Sequence, residues 1–283
     1  METNYDKVKH FEDNLHIHSC KYFSKQLALF DEMMKAYMEP LHEIPIGWHF
    51  KREKSPELIL LARMFNDFES SKLLLLYGLP EQAMMAMRDI IECMMLFRLF
   101  GSDPKLALRW MKNLKEYHPS TVKARLDELK VDCPEYSFYG MLSELAHPNL
   151  LSVASRVTEQ KLTDDLIIES YHFGGMNNPT WIGNIFRNLF IFLFLTMMSV
   201  LPPAYFPFLK NREEWWNKVI AFKDRLVELG ANIEVEEGER TGKEKVERDM
   251  VFKKLKIANI KAAFSLFDKD KIACDKGFPD IGS

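Results

Sequence analysis

The chain has few cysteines, few glycines and no apolar run of membrane length. Its 283 residues hold four cysteines, Cys20, Cys93, Cys133 and Cys274. No two are close in sequence, which excludes a CxxC zinc or redox motif. Isolated cysteines fit a reducing compartment without disulfides, so a cytoplasmic location is expected. No Walker loop, GxGxxG, GxSxG or HExxH occurs. These absences remove the common ATPase, dinucleotide, hydrolase and zincin signatures. The formal net charge of -3 excludes a broad basic footprint for nucleic acid and leaves room only for a local patch. The N-terminus, METNYDKVKHFEDN, is polar and does not read as a signal peptide.

The most apolar stretch is LFIFLFLTMMSVLPP. Arg187 and Asn188 precede it, and Pro202 stops it after Leu201. A spanning helix needs about 20 apolar residues. The stretch is therefore expected to be a buried core helix, with no membrane partner.

Leu, Phe and Met are plentiful, whereas Gly (12) and Pro (13) are scarce. Long apolar side chains with few breakers predict a mainly helical chain. Apolar spacing near 3.6 predicts one helix from Tyr5 to Met38, ended by Pro40 and Pro45. Ser55-Pro56-Glu57 opens the next, and Gly78 closes it near Tyr77. Pro80-Glu81 opens a third, closed by Gly101 after Phe100. Further helices start at Asp103-Pro104, Ser120 and Pro134-Glu135, the last reaching His147. LSVASRV is read as a helical continuation, and LTDDLIIESYHFGG as a short strand or hairpin. A helix from Pro179 to about Leu201 and another from Glu213 to Leu229 follow.

The expected fold is all-α, an antiparallel up-down bundle with additional C-terminal helices. Residues 1–230 form the helical domain. Residues 231–250 are a charged linker, and 251–283 a C-terminal helix and tail.

Three residues carry the functional reading. The helix PEQAMMAMRDIIECMMLFRLF is apolar on every side, as in a helix surrounded by protein. Arg88 and Glu92 lie four apart on one face with Met84, Met85, Ile91 and Met95. That face predicts an inward-pointing ion pair. Such a pair either fixes helix register or faces a cleft and handles an anion. His147 precedes Pro148, which disfavours helix there. A histidine at a helix C-terminus caps free carbonyls, and those carbonyls also favour its charged form. That tuning suits an acid or base near neutral pH.

Between Gly78 and His147 the chain shows Gly78, Ala83, Arg88-x-x-x-Glu92, Tyr139, Leu142 and Ser143-x-x-x-His147. Over about residues 55–151 this resembles a bacterial HEPN-like family of unknown function. The resemblance implies a four-helix up-down bundle that commonly dimerises. It implies an effector of stress or phage defence acting on RNA or a nucleotide, without metal or cofactor. It places Arg88, Glu92 and His147 in one catalytic cleft, with Tyr139, Ser143 and Asn149 as binding residues. Ribonuclease-active members carry an arginine and a histidine a short spacer apart on one helix. The nearest pair here, Arg109 and His118, is too widely spaced. A split site would let His147 take the 2′-hydroxyl proton while Arg88 stabilises the phosphorane. The alternative is a non-catalytic interaction module in which the same residues are a structural network.

Other motifs read as structural. His16, His18 and Cys20 are two apart, which on a helix does not converge on one metal. A calcium loop from Asp268 fails at Ala273 and Pro279. Trp181, Trp215 and Trp216 read as packing residues, with one of the adjacent pair exposed. The lysine-rich tail gives a local positive surface that RNA phosphates could contact.

Overall fold

A computed structural model describes residues 3–44, 55–112, 117–133, 135–146, 157–163, 166–171, 179–201, 209–229, 234–237 and 253–256. The chain is an antiparallel helical bundle with extra helices at its C-terminal side. Among the described residues the helices are α1 (Asn4–Tyr22), α2 (Ser24–His42), α3 (Ser55–Leu76), α4 (Pro80–Ser102), α5 (Pro104–Trp110), α6 (Pro119–Glu128), α7 (Tyr136–Ala146), α8 (Pro179–Leu195) and α9 (Arg212–Glu228). A π-helical turn, Thr196–Val200, extends α8.

The ends follow from local chemistry. Thr3 and Asp6 form a reciprocal capping box on α1, with the Thr3 amide donating to Asp6 Oδ2 at 2.8 Å. Gly78 closes α3 at φ 68°, the left-handed conformation a C-terminal glycine supplies. Leu79 N–H then bonds Leu74 O at 2.8 Å and Gly78 N–H bonds Leu75 O at 3.0 Å. Lys130 makes the same closure after α6 at φ 55°, with Val131 N–H on Leu126 O at 2.9 Å. A residue with a Cβ is strained there. Lys130→Gly is expected to raise stability by about 1 kcal/mol, read as a higher urea midpoint with unchanged slope.

Three boundaries differ from expectation. The first helix is two. Phe23 leaves helical geometry (φ -93°, ψ 18°) because its buried ring packs on Phe186, centroids 5.2 Å apart. Pro40 does not end α2 but sits buried in its last turn, two residues before His42. Gly101 does not end α4. The stop falls on Asp103, whose extended backbone and side-chain bond to Lys105 N–H (3.1 Å) start α5. Since Gly101 is helical and a Cβ there meets nothing within 4 Å, Gly101→Ala should add about 0.5–1 kcal/mol, seen as a small rise in Tm.

The core centres on α8. Phe186, Leu189, Phe190, Phe192, Leu193 and Phe194 are buried. Phe190 meets Phe30 of α2, and Phe192 meets Phe138 of α7 edge to face at 5.1 Å. Partners on several sides explain why α8 is apolar all round from Leu189 onward. By sequence the apolar run is expected to be too short to span a membrane, but the helix that carries it, Pro179–Val200, starts before Arg187 and is, alone among the described residues, long and apolar enough to cross one. Burial of 72% of its apolar window inside the protein makes it the core helix. Trp215 is buried and donates from Nε1 to Ala36 O at 2.8 Å, whereas Trp216 is half-buried.

Two short antiparallel ribbons accompany the bundle. In the first, β1 (Val157–Thr163) pairs with β2 (Leu166–Tyr171). The expected hairpin is thus present but starts earlier, so Val157, read as helical, is in a strand. The β-branched Val157, Thr158 and Thr163 favour a strand over a helix. In the second, β3 (Glu234–Glu237) pairs with β4 (Lys253–Lys256). The expected C-terminal helix is therefore a strand at Lys253–Lys256. In register, Glu234 is opposite Lys256, Glu236 opposite Lys254 and Glu237 opposite Lys253. The backbone hydrogen bonds of this antiparallel ladder hold Lys253–Lys256 extended rather than helical.

Candidate functional site

The α3–α4 hairpin is tied by the three-residue connection Tyr77, Gly78 and Leu79 and by Ser71 Oγ donating to Ala83 O at 3.3 Å. α7 packs on the other flank of α4. Between them runs a half-exposed stripe of α4 holding Met85, Arg88, Asp89, Glu92 and Leu96.

On this stripe Arg88 Nε donates to Glu92 Oε1 at 3.1 Å. The Tyr139 hydroxyl of α7 donates to the same oxygen at 3.2 Å. The Arg88 guanidinium lies 5.3 Å from the Tyr139 ring centre, within cation–π range. Three residues from two helices thus close one polar triangle. Burial first, and then the adjacent Glu92 carboxylate, push the Tyr139 phenol above its ordinary value. Its proton stays on and serves as the donor.

Arg88 and Glu92 are not buried as expected. Each side chain is 27% exposed. Met84, Ile91 and Met95 of the supposed shared face are buried, but Met85 is 47% exposed. The pair sits where the buried side of α4 meets its solvent stripe. Ser143 lies one turn beyond Tyr139 on α7, half-buried. His147 and Asn149 lie outside the described residues.

The row continues along α7. Tyr136 stacks on Tyr139 with ring centres 5.6 Å apart and planes 7° apart. Lys123 of α6 places its Nζ 5.6 Å from the Tyr136 ring centre and pairs with Asp127. Two tyrosines therefore stand between two cations, each cation held by a carboxylate one helical turn away.

Two charged clusters escape sequence reasoning. The deeply buried ion pair of α4 is Arg98 with Glu135, not Arg88 with Glu92. Arg98 Nε donates to Glu135 Oε1 at 2.6 Å and Nη2 to Oε2 at 3.2 Å, with Glu135 fully buried. Arg98 Nη2 also donates to Ser199 Oγ at 2.8 Å, and Ser199 in turn donates to Leu195 O. This network joins α4, the entrance of α7 and the π turn after α8. A lone arginine in the apolar run MMLFRLF was its only local signal. The second cluster spans the α3–α4 seam. Arg63 donates from Nη2 to Asp89 Oδ2 at 2.7 Å, and its Nε is 3.8 Å from Asp67. Asp67 Oδ2 is buried with no hydrogen-bond partner among the described residues. Burial, and then the charge of Asp89, raise its carboxyl to about 6. Cys93 nearby is pushed up to about 12, mainly by burial, so it stays a thiol.

On α1, His16 stacks on Tyr77 at 4.5 Å and its Nε2 lies 3.6 Å from Cys20 Sγ. The four-residue spacing, not the two-residue one, brings these side chains together. Among the described residues no three metal-ligating side chains converge. Searches of family models, curated proteins and solved structures find no match to this chain.

Proposed function

We propose that this protein is a HEPN-like effector of bacterial stress or phage defence that acts on RNA or a nucleotide. The supporting observation is the Arg88–Glu92–Tyr139 triangle, built across two helices yet open to solvent. A guanidinium has more N–H donors than these contacts use, in a fork suited to phosphate oxygens. Glu92 and Tyr139 fix its orientation. In the ribonuclease form of this reading, His147 removes the proton from a ribose 2′-hydroxyl. The 2′-oxygen attacks phosphorus, the bond from phosphorus to the 5′-oxygen breaks, that oxygen takes a proton from solvent water, and Arg88 balances charge on the phosphorane. Ser143 and Asn149 contact the ligand. The protein acts in the cytoplasm as a homodimer and needs no metal or cofactor for this chemistry.

A second reading is a non-catalytic interaction module. It is favoured by the fact that Glu92 alone already neutralises Arg88. Expression in bacteria separates the two. The effector reading expects wild type to slow growth and fragment total RNA, leaving cyclic-phosphate ends, and His147→Ala to do neither. Equal activity of both would sink the role of His147. Absence of growth and RNA effects would leave the interaction module.

A further inference from the structure

The Arg88 row also bears on what such a site would recognise. Proteins that hold single strands by their bases offer open aromatic faces, and each stacked base strengthens binding roughly five- to hundred-fold. The two tyrosines beside Arg88 are already engaged. Tyr139 carries Arg88 at 5.3 Å and Tyr136 at 5.6 Å. Tyr136 carries Tyr139 and, at 5.6 Å, Lys123. The Tyr139 hydroxyl is committed to Glu92 at 3.2 Å. The rings therefore serve as a rigid wall that spaces two cations. Unstacking them to admit a base would forfeit the ring–ring contact and a cation–π contact together.

We infer that this site selects its ligand by phosphate and leaves the base unread. The inference rests on the reading that Arg88 handles a phosphate-bearing ligand. Arg88 at one end of the row and Lys123 at the other, each also paired with a carboxylate one turn away, offer their remaining N–H donors to the phosphates of a passing backbone. Charge contacts of this kind carry no sequence information.

The test uses the full chain and labelled ribose-phosphate 12-mers of uridine, of cytidine and of abasic units. Inorganic triphosphate and the four nucleoside triphosphates serve as competitors. The expected result is affinity equal within about three-fold for the three oligomers, falling steeply and in parallel as salt rises. Triphosphate should compete as well as any nucleotide if small anions suffice, and only oligomers should bind if a continuous backbone is required. Arg88→Gln should weaken all oligomers by the same factor while the thermal melt stays that of a folded protein. A ten-fold preference for one base, or loss of binding on removing the bases, would overturn the inference but keep Arg88 as a phosphate ligand. Binding of none of these probes would remove the underlying reading as well.

Discussion

Glu135→Ala should lower stability by about 3–5 kcal/mol, one of the largest effects of any single substitution outside the aromatic core. The carboxylate is fully buried and takes both arms of the Arg98 fork. Its removal strands a guanidinium that is only 15% exposed, and a buried charge without a partner is costly. Ser199 cannot replace it, because a neutral hydroxyl offers no charge. The loss would appear as a fall in Tm of roughly 10 °C for a chain of this size. The double replacement Arg98→Met with Glu135→Leu separates loss of the pair from exposure of an orphan charge. It should recover most of the stability, since apolar residues of similar volume replace buried pairs at little cost. A Glu135→Ala protein as stable as wild type would show that water reaches Arg98.

Asp67→Asn should stabilise the protein, and only above mildly acidic pH. The folded carboxyl titrates at about 6 against an ordinary value of 3.8, so the folded state holds this proton more tightly than the unfolded chain. Below about pH 4 the group is protonated in both states and imposes no penalty. Between about pH 4 and 6 the unfolded chain releases its proton first, so stability falls as pH rises. Above that window the full penalty stands. Two pKa units correspond to about 3 kcal/mol, and the partial exposure of the carboxyl reduces this to about 1–2 kcal/mol. Asparagine keeps the shape and removes the charge, while Arg63 retains Asp89. Urea unfolding at pH 4 and pH 8 decides the matter. A gain that is the same at both pH values would mean that the Asp67 charge is not its source.

Local features were legible in the sequence, and distant pairings were not. Gly78 ends α3 because a left-handed residue is needed there, and a glycine after an apolar-periodic run signals that need. Gly101 looks the same on paper. It remains helical because Asp103, two residues on, is the better stop. Phe23 breaks the first helix through a contact with Phe186, and nothing near Phe23 announces a partner so far along the chain. The Arg88–Glu92 pair was visible from its four-residue spacing, whereas its bond to Tyr139, 47 residues on, comes from the packing of α7 on α4. Its depth was misjudged because apolar neighbours in sequence include Met85, which faces solvent. Arg98 and Glu135 are 37 residues apart, and Asp67 meets Asp89 only through the α3–α4 hairpin. No spacing rule reaches such pairs, since tertiary packing alone creates them.

The place of α8 in chain order has a consequence for how the protein is made. The helix that fills the core is synthesised after α1 to α7, and Phe23, Phe30 and Phe138 all await it. α9, later still, returns to α2 through Trp215 on Ala36, Lys218 on Glu39 and Arg225 on Glu32. A nascent chain lacking residues beyond about 178 must carry these aromatic surfaces uncovered. Native contacts of such long sequence separation slow folding and expose the intermediate to aggregation. A ribosome-bound chain stopped before α8 should thus engage chaperones strongly, and release should come only after Trp215 has emerged.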